Sequence, residues 1–533
     1  MRSKILYIVL LFLIQFISLD GNGQTLITSF PYENSLKGSS TETPTHISPV
    51  GGTVFTSTGT QLTSTAKSQR GAVILDGASF NSTNGLIIEF DYDMYDGVMY
   101  ESQDYGDGLS FFLYDGSVPT TDDLLGSNGA GLGYTYNRAL SNQASAERAG
   151  LDGAYLGVAL DQFGNFKGRR FQPDSYISGI NSTITWEGGG HSHVTLRGAM
   201  SKVALTEIST ATEETTNRRF AGYPVLITQS TKAASGTNLG AVLNIPSGSV
   251  PTLPSAIYNM SNTILSNQFD VRGGVSNPSS GQTGYRRAII ELFPADPAAG
   301  GGFIVTLKIQ HGSTITTVIN KFHYKTKFYY RENANRNSGT STGDTFPILD
   351  ATVPTVMKLG FAASTGGASQ AHVIRNLKVS LPFQPVFVED KVEMCTNMTR
   401  NVSFAVFPND LMYNKELYNN PIAGATNEFI DFTSFRFENS TGSVLSSSTT
   451  YTNPNEGTWS YNSTSGQVTF TPNPGFKGLA TVYYSAKGTA SQGGPFNQEI
   501  YRSTSTKLTV NVVQCGGVIN PHIPAGGVSR SGK

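Results

Sequence analysis

Gly106-Asp107-Gly108-Leu109-Ser110-Phe111-Phe112-Leu113 is a polar turn running straight into an apolar strand. Asp-Gly favours a tight turn, and the aliphatic and aromatic run after it has the composition of a strand bounded by a turn signal. Three more stretches join glycine-bearing turns to apolar residues. They are Asn128-Gly129-Ala130-Gly131-Leu132-Gly133-Tyr134, Leu156-Gly157-Val158-Ala159-Leu160-Asp161-Gln162-Phe163-Gly164-Asn165-Phe166, and Leu359-Gly360-Phe361-Ala362-Ala363-Ser364-Thr365-Gly366-Gly367. Their glycines permit close approach of the main chain. The four are far apart in the chain, so only folding brings them together.

Around them, short strand-like runs alternate with Gly, Asn, Ser and Pro turns from Thr25 to about Pro385. In Gly85 to Gly97, Leu86, Ile88, Phe90, Tyr92 and Met94 fall on one strand face, and Ile87, Glu89, Asp91 and Asp93 on the other. The second set reads as a solvated acidic edge. Phe303 to Tyr324 reads as a hairpin turning at Gln310 to Ser313. Helical periodicity is absent outside the N-terminus. The expectation is an all-β chain whose main domain is a sandwich of two antiparallel sheets. Residues 201–286, rich in Ser, Thr, Gly and Asn, read as a long insertion that wraps the sandwich or borders a site.

The chain has 533 residues, enough for two or three domains. Charged residues are 14% of it and the formal net charge is -1. That balance argues against nucleic acid, whose capture needs a basic face. Arg2, Lys4 and the apolar run Ile5 to Ile14, with small residues at Gly21 and Gly23, read as a signal peptide over 1–23. The run is too short for a transmembrane span, which needs about 20 residues, and no later segment qualifies. The expected localisation is secreted or cell-surface.

After Pro382-Phe383-Gln384-Pro385, residues 386–515 form a second unit, marked by Phe407-Pro408-Asn409-Asp410, Trp459, Gly466 to Pro472 and a closing strand from Thr506 to Val513. Residues 516–533 read as a flexible tail. Cys395 and Cys515, the chain's two cysteines, lie at the ends of this unit. They form one disulfide, worth at most roughly 4–5 kcal/mol on the chain-entropy model, or stay as two buried thiols.

Taken in order, the four loops resemble the legume-type (L-type) lectin fold, particularly its secreted bacterial branch. The second unit looks like the Ig-like, cadherin-like or fibril-repeat sandwiches of bacterial adhesins. The first resemblance implies a jelly-roll lectin domain over 24–385 that binds glycans or polysaccharides without catalysis. Its carbohydrate-binding residues would be Asp107, Gly129, Ala130, Gly131, Phe163, Asn165, Gly366 and Gly367, with a non-proline cis peptide at Gly106–Asp107. Phe163 or Phe166 would stack on the sugar. His372 matches a histidine that orients the last loop. The resemblance also implies one Ca²⁺ held by Asp161, the Phe163 carbonyl, Asn165 and Asp174, oxygen donors that suit a hard cation. Ala159 stands where plant members carry Glu, and no histidine follows the loop, so no transition metal accompanies it. Lys167, Arg169 and Arg170 occupy the stretch where the family's second aspartate falls.

Two other readings stand beside this one. The chain is a structural adhesin module, with a surface or protein partner held through the C-terminal domain. Or it is a glycoside hydrolase of the concanavalin-like sandwich class, which needs two carboxyl groups about 5–5.5 Å apart if retaining. Glu89, Asp91 and Asp93 share a face, but Met94 stands where the laminarinase-like pattern has its final Glu. No Gly-x-Ser-x-Gly elbow supports a serine hydrolase. His191 and His193 flank Ser192 in a Gly-rich stretch, a spacing that would bind a metal only by chance.

Overall fold

The computed structural model describes residues 24–515 apart from 102–103, 122, 137–147, 168–190, 203–218, 233–236, 241–257, 262–264, 331, 334–343, 346, 383–384, 386, 397–399, 411–429 and 490–498. Residues 1–23, read as a signal peptide, Asp174, and residues 516–533, read as a tail, lie outside the described residues. The chain divides into two compact units, 1–381 and 382–533. The all-β expectation holds: no α-helix occurs among the described residues.

Unit 1 is built on two sheets. The larger runs, in order, through Thr25–Ile27, Ala78–Asn81, Val356–Ser364, Gly108–Asp115, Ala154–Asp161, His193–Arg197, Val225–Ser230, Thr237–Gly240 and Tyr258–Ser261. The second runs through Thr314–Tyr324, Phe303–His311, Arg286–Pro294, Leu86–Val98, Ser369–Ser380, Gly59–Thr63 and Val54–Thr56. Pairing is antiparallel except at the edge, where Thr25–Ile27 lies parallel to Ala78–Asn81. The hairpin read from Phe303 to Tyr324 is present, with His311 opposite Thr314.

Aromatic residues from both sheets meet in the core. The Phe90 ring of the second sheet lies 4.8 Å from Phe361 and 5.9 Å from Phe111, both of the first. The next residue on the Phe111 strand, Phe112, faces the other way, into a cluster with Tyr114, Leu132, Tyr134, Tyr136 and Tyr223. Both faces of Gly108–Asp115 are therefore buried, which is why its sequence is a continuous apolar run and not an alternating one. The 201–286 stretch joins this framework: three of its strands extend the larger sheet.

The acidic face of Leu86–Val98 differs from its sequence reading. Asp91 and Asp93 are buried, not solvated. Arg375 grips Asp93 with two guanidinium nitrogens, and the Asn277 amide donates to the same carboxylate at 2.8 Å. Asp91 accepts from the Tyr285 hydroxyl, Arg287 and Asn376 at 2.7–2.8 Å. The segment 265–286 covers this face and supplies several of the partners. Two-residue periodicity located the face correctly, but not the chain that folds over it. Breaking one partner of a buried ion pair costs about 3–5 kcal/mol, so Arg375→Met is expected to lower unfolding free energy by about that much, measured by urea denaturation of the full chain.

Unit 2 has two four-stranded sheets, Asp390–Cys395, Thr506–Val513, Gly478–Gly488 and Ile430–Glu438 in one, and Val402–Ala405, Gln467–Pro472, Gly457–Asn462 and Thr450–Asn453 in the other. Trp459 is fully buried against Phe470 at 4.5 Å. Cys395 and Cys515 are disulfide-bonded, closing a separation of 120 residues, and Asp390–Cys395 runs parallel to Thr506–Val513. Asp410 accepts from the Tyr484 hydroxyl at 2.7 Å and from the Val388 amide at 2.8 Å. Burial first, then Asp390, pushes its carboxyl up to about 7, against those two hydrogen bonds. Asp390 is raised to about 6 by burial, against its bonds from Asn409 and Tyr484. Both folded values exceed the unfolded one, so the folded unit retains protons that the unfolded chain has released. The contribution of this pair to stability is thus full near pH 4, falls as pH rises to about 7, and is flat above. Calorimetric midpoints of the full chain across that window are expected to show this slope, and Asp410→Asn to flatten it.

Candidate functional site

Three neighbouring strand ends build the site. Gly108 lies opposite Ser364, and Leu109 opposite Leu160. Antiparallel pairing puts the start of one strand beside the ends of its two neighbours. Asp107, the loop after Asp161 and the loop after Ser364 therefore emerge side by side. The Gly106–Asp107 peptide is cis. The Asp107 amide donates to the Ser364 carbonyl, and its own carbonyl accepts from the Phe163 amide, both at 2.9 Å. The residue is thus held from both sides.

The fourth loop joins through side chains. Ser110 Oγ donates to the Leu132 carbonyl at 2.6 Å, and Ser364 Oγ reaches the Gly129 carbonyl at 3.1 Å and Asp107 Oδ2 at 3.4 Å. A Cβ on Gly129 would stand 4.0 Å from Asp107 Oδ2, and one on Gly366 would stand 3.6 Å from both carboxylate oxygens. The two glycines keep the space above the carboxylate clear. Gly129 also has φ +60, a conformation that favours glycine.

The remaining predicted residues divide. In the turn Gly129–Gly131, the amides of Gly131, Leu132 and Gly133 are spent on carbonyls of the loop itself. Asn128 does not cap the turn; its Oδ1 accepts from Arg70 at 3.3 Å. That leaves the Gly129 and Ala130 amides, at the open start of the turn, as the loop's donors. Gly131 faces away, since a Cβ there would strike Ser127 Oγ. Gly366 donates its amide to Ala368, so its part is clearance. Gly367 lets Tyr100 approach, a Cβ there meeting the Tyr100 ring at 2.6 Å.

Phe163 is 8% exposed, its ring edge-on to Tyr100 at 6.3 Å and to His191 at 5.5 Å. Phe166 is fully buried beneath Arg197, so it presents no face to a ligand. Tyr100, 39% exposed, is the aromatic that sequence reading missed. It lies in the acidic, Gly-poor stretch after Gly97 and carries no signal of its own. His372 is fully buried, its Nδ1 2.6 Å from Thr63 Oγ1. Burial pushes it down to about 3, so it is a neutral residue packed against Thr63 and Gln370.

Asp107 is buried, and its carboxyl is raised to about 7. Burial is the main cause and the nearby Asp161 carboxylate the second, opposed by hydrogen bonds from Ser364 and Asn165. Asp161 is also raised by burial, against Lys167 and the loop's amides. Its Oδ1 accepts from Gly164 N and its Oδ2 from Phe166 N, each at 2.8 Å. The Phe163 carbonyl accepts from His191 Nδ1 at 3.0 Å. Asn165 Oδ1 is buried without a hydrogen-bond partner. Inside the same loop Lys167 is buried, its Nζ donating to the Gly164 carbonyl at 2.7 Å.

The acids of the glycoside-hydrolase reading are engaged in the fold, and so is Ser192. Asp91 and Asp93 are committed to arginines as described, and Ser192 Oγ lies 2.7 Å from Thr231 Oγ1 while accepting from the Val271 amide. A cleft of about 650 Å³ lies at the opposite end of the Gly108–Asp115 strand, beside Asp115 and Asp350. Those carboxylates accept from Ser117 and Thr352.

No protein-family model matches the chain, and no curated protein matches it. Among solved structures, it is similar to peanut lectin bound to a nonapeptide, with TM-score 0.32 and 15% identity over 66% of this chain and 97% of that one. It is similar to winged bean acidic lectin complexed with methyl-α-D-galactose, with TM-score 0.31 and 11% identity over 66% and 96%. The VIP36 exoplasmic/lumenal domain in a Ca²⁺- and mannose-bound form gives TM-score 0.29 and 11% identity over 64% and 85%. At such scores no property of those lectins carries to this chain.

Proposed function

We propose that unit 1 binds carbohydrate at Asp107. The observation that carries this is the convergence of four sequence-distant loops on one buried carboxylate whose facing positions, Gly129 and Gly366, are both glycine. A neutral, hydrated ligand is held by fixed polar groups beside an aromatic surface. In its ionised form Asp107 accepts from two adjacent sugar hydroxyls, the stronger kind of hydrogen bond because its oxygens are then charged. The Asn165 amide and the Gly129 and Ala130 N–H groups donate. Tyr100, backed by Phe163, offers its face to the apolar side of a pyranose ring.

Desolvation is repaid in this scheme. A buried carboxylate with an acid as neighbour is unfavourably placed in the free protein, and ligand hydroxyls supply the donors that it lacks. In the resembled family a calcium ion would sit on Asp161, the Phe163 carbonyl and Asn165. The unpartnered Asn165 oxygen is the observation in its favour and Lys167 the observation against it. Among the described residues no helix is long and apolar enough to cross a membrane. With the N-terminal signal read from sequence, we place the protein outside the cell, free or on its surface, and unit 2 as the module that holds a surface or protein partner.

A glycan array with the full chain tests the reading, and binding to no glycan would sink it. Asp107→Asn removes the charge but keeps the shape. It is expected to weaken binding by about 1.5–3 kcal/mol, roughly 10- to 100-fold, with the melting temperature maintained. Tyr100→Ala is expected to cost roughly fivefold, about 1 kcal/mol of ring contact, measured by titration calorimetry on the best glycan from the array.

A further inference from the structure

The loop Asp161–Lys167 has the spacing of a calcium loop but not its charge. A divalent ion in such a loop needs anionic and carbonyl oxygens turned inward with no cation among them. Here both Asp161 oxygens already accept from amides of the loop, at Gly164 and Phe166. The Phe163 carbonyl faces the His191 ring nitrogen. A buried ammonium, Lys167 Nζ, sits on the Gly164 carbonyl, in the electrostatic field of Asp161. Placing a second, doubly charged cation beside a desolvated ammonium brings like charges together at low dielectric. The described residues of this loop do not fit calcium.

We propose that the Lys167 ammonium takes the place of the metal, so that the loop presenting Phe163 and Asn165 to the Asp107 site is shaped by an internal cation and needs no ion from solution. The side chain reaches back across the turn and donates to the Gly164 carbonyl, in the field of the Asp161 carboxylate. Ca²⁺ shapes a loop by drawing several oxygens onto one centre. An ammonium does so with three directed donors, on a tether that fixes its position without dissociation. Asp161 keeps a counter-charge, and the backbone between Phe163 and Phe166 stays folded by the same amides. Sugar binding then becomes independent of extracellular calcium. Only this last consequence rests on the carbohydrate reading.

The test uses the full chain, freed of metal by chelator. Calcium titrated into the wild type is expected to give no binding event that Asp161→Asn abolishes, and the melting temperature of unit 1 is expected to be equal in calcium and in chelator. Lys167→Met is expected to lower that melting temperature. Lys167→Asp, which supplies the missing carboxylate, is expected to make it rise with added calcium. Wild-type calcium binding lost in Asp161→Asn, or a melting temperature that falls in chelator, overturns the proposal. So does a Lys167→Met protein as stable as the wild type. Should the lysine variants fail to fold, the wild-type titration still decides. Glycan binding equal with calcium and with chelator supports the proposal, and binding lost in chelator overturns it. An array with no glycan bound in either condition defeats the carbohydrate reading alone.

Discussion

The site depends on the register of three adjacent strands at the centre of the larger sheet. Ser364 must lie opposite Gly108 and Leu160 opposite Leu109 for Asp107, Asn165 and Gly366 to share one end of the sheet. That register is held by side-chain volume on both faces. Phe111 points into the core between the sheets and Phe112 into the tyrosine-rich cluster outside. A slip by one residue would exchange them, and neither space suits the other ring with its present neighbours. Packing far from any ligand therefore decides where the carboxylate stands.

Charge is distributed with equal consistency. Asp93 faces Arg375, Asp91 faces Arg287, and Glu291 meets Lys308 at 2.6 Å, each carboxylate matched to a cation on a neighbouring strand. Asp107 breaks the pattern. Its neighbours are the Ser364 hydroxyl, the Asn165 amide side chain and the Asp161 carboxylate. Asp107 shares this with Asp161, whose oxygens accept from loop amides, so the two acids at this end of the sheet are left to neutral donors, as the proposed role of Asp107 requires.

Much of this was legible in the sequence, because it was written in local patterns. Alternation gave the Leu86 strand and the Phe303 hairpin; glycine and turn residues marked the loops that meet at Asp107. What escaped was what depends on chain crossing from elsewhere. Nothing near Asp91 and Asp93 announces that residues 265–286 fold over them, so a buried, paired face read as a solvated one. Tyr100 reaches the site only because Gly367 admits it, two positions distant in sequence that no spacing rule links. Lys167 was visible as a basic residue in an acidic loop's place, but its burial against the Gly164 carbonyl depends on how the loop folds back.

The disulfide of unit 2 has a mechanical consequence. Asp390–Cys395 and Thr506–Val513 are parallel neighbours, and the bond between Cys395 and Cys515 joins their trailing ends. Tension applied between Asp390 and Cys515 enters along one short strand and leaves through the sulfur bridge. The chain between the two cysteines, which carries the other strands of both sheets and the Trp459 core, lies outside that covalent path. Only the pairing of Asp390–Cys395 with Thr506–Val513 would bear the load directly.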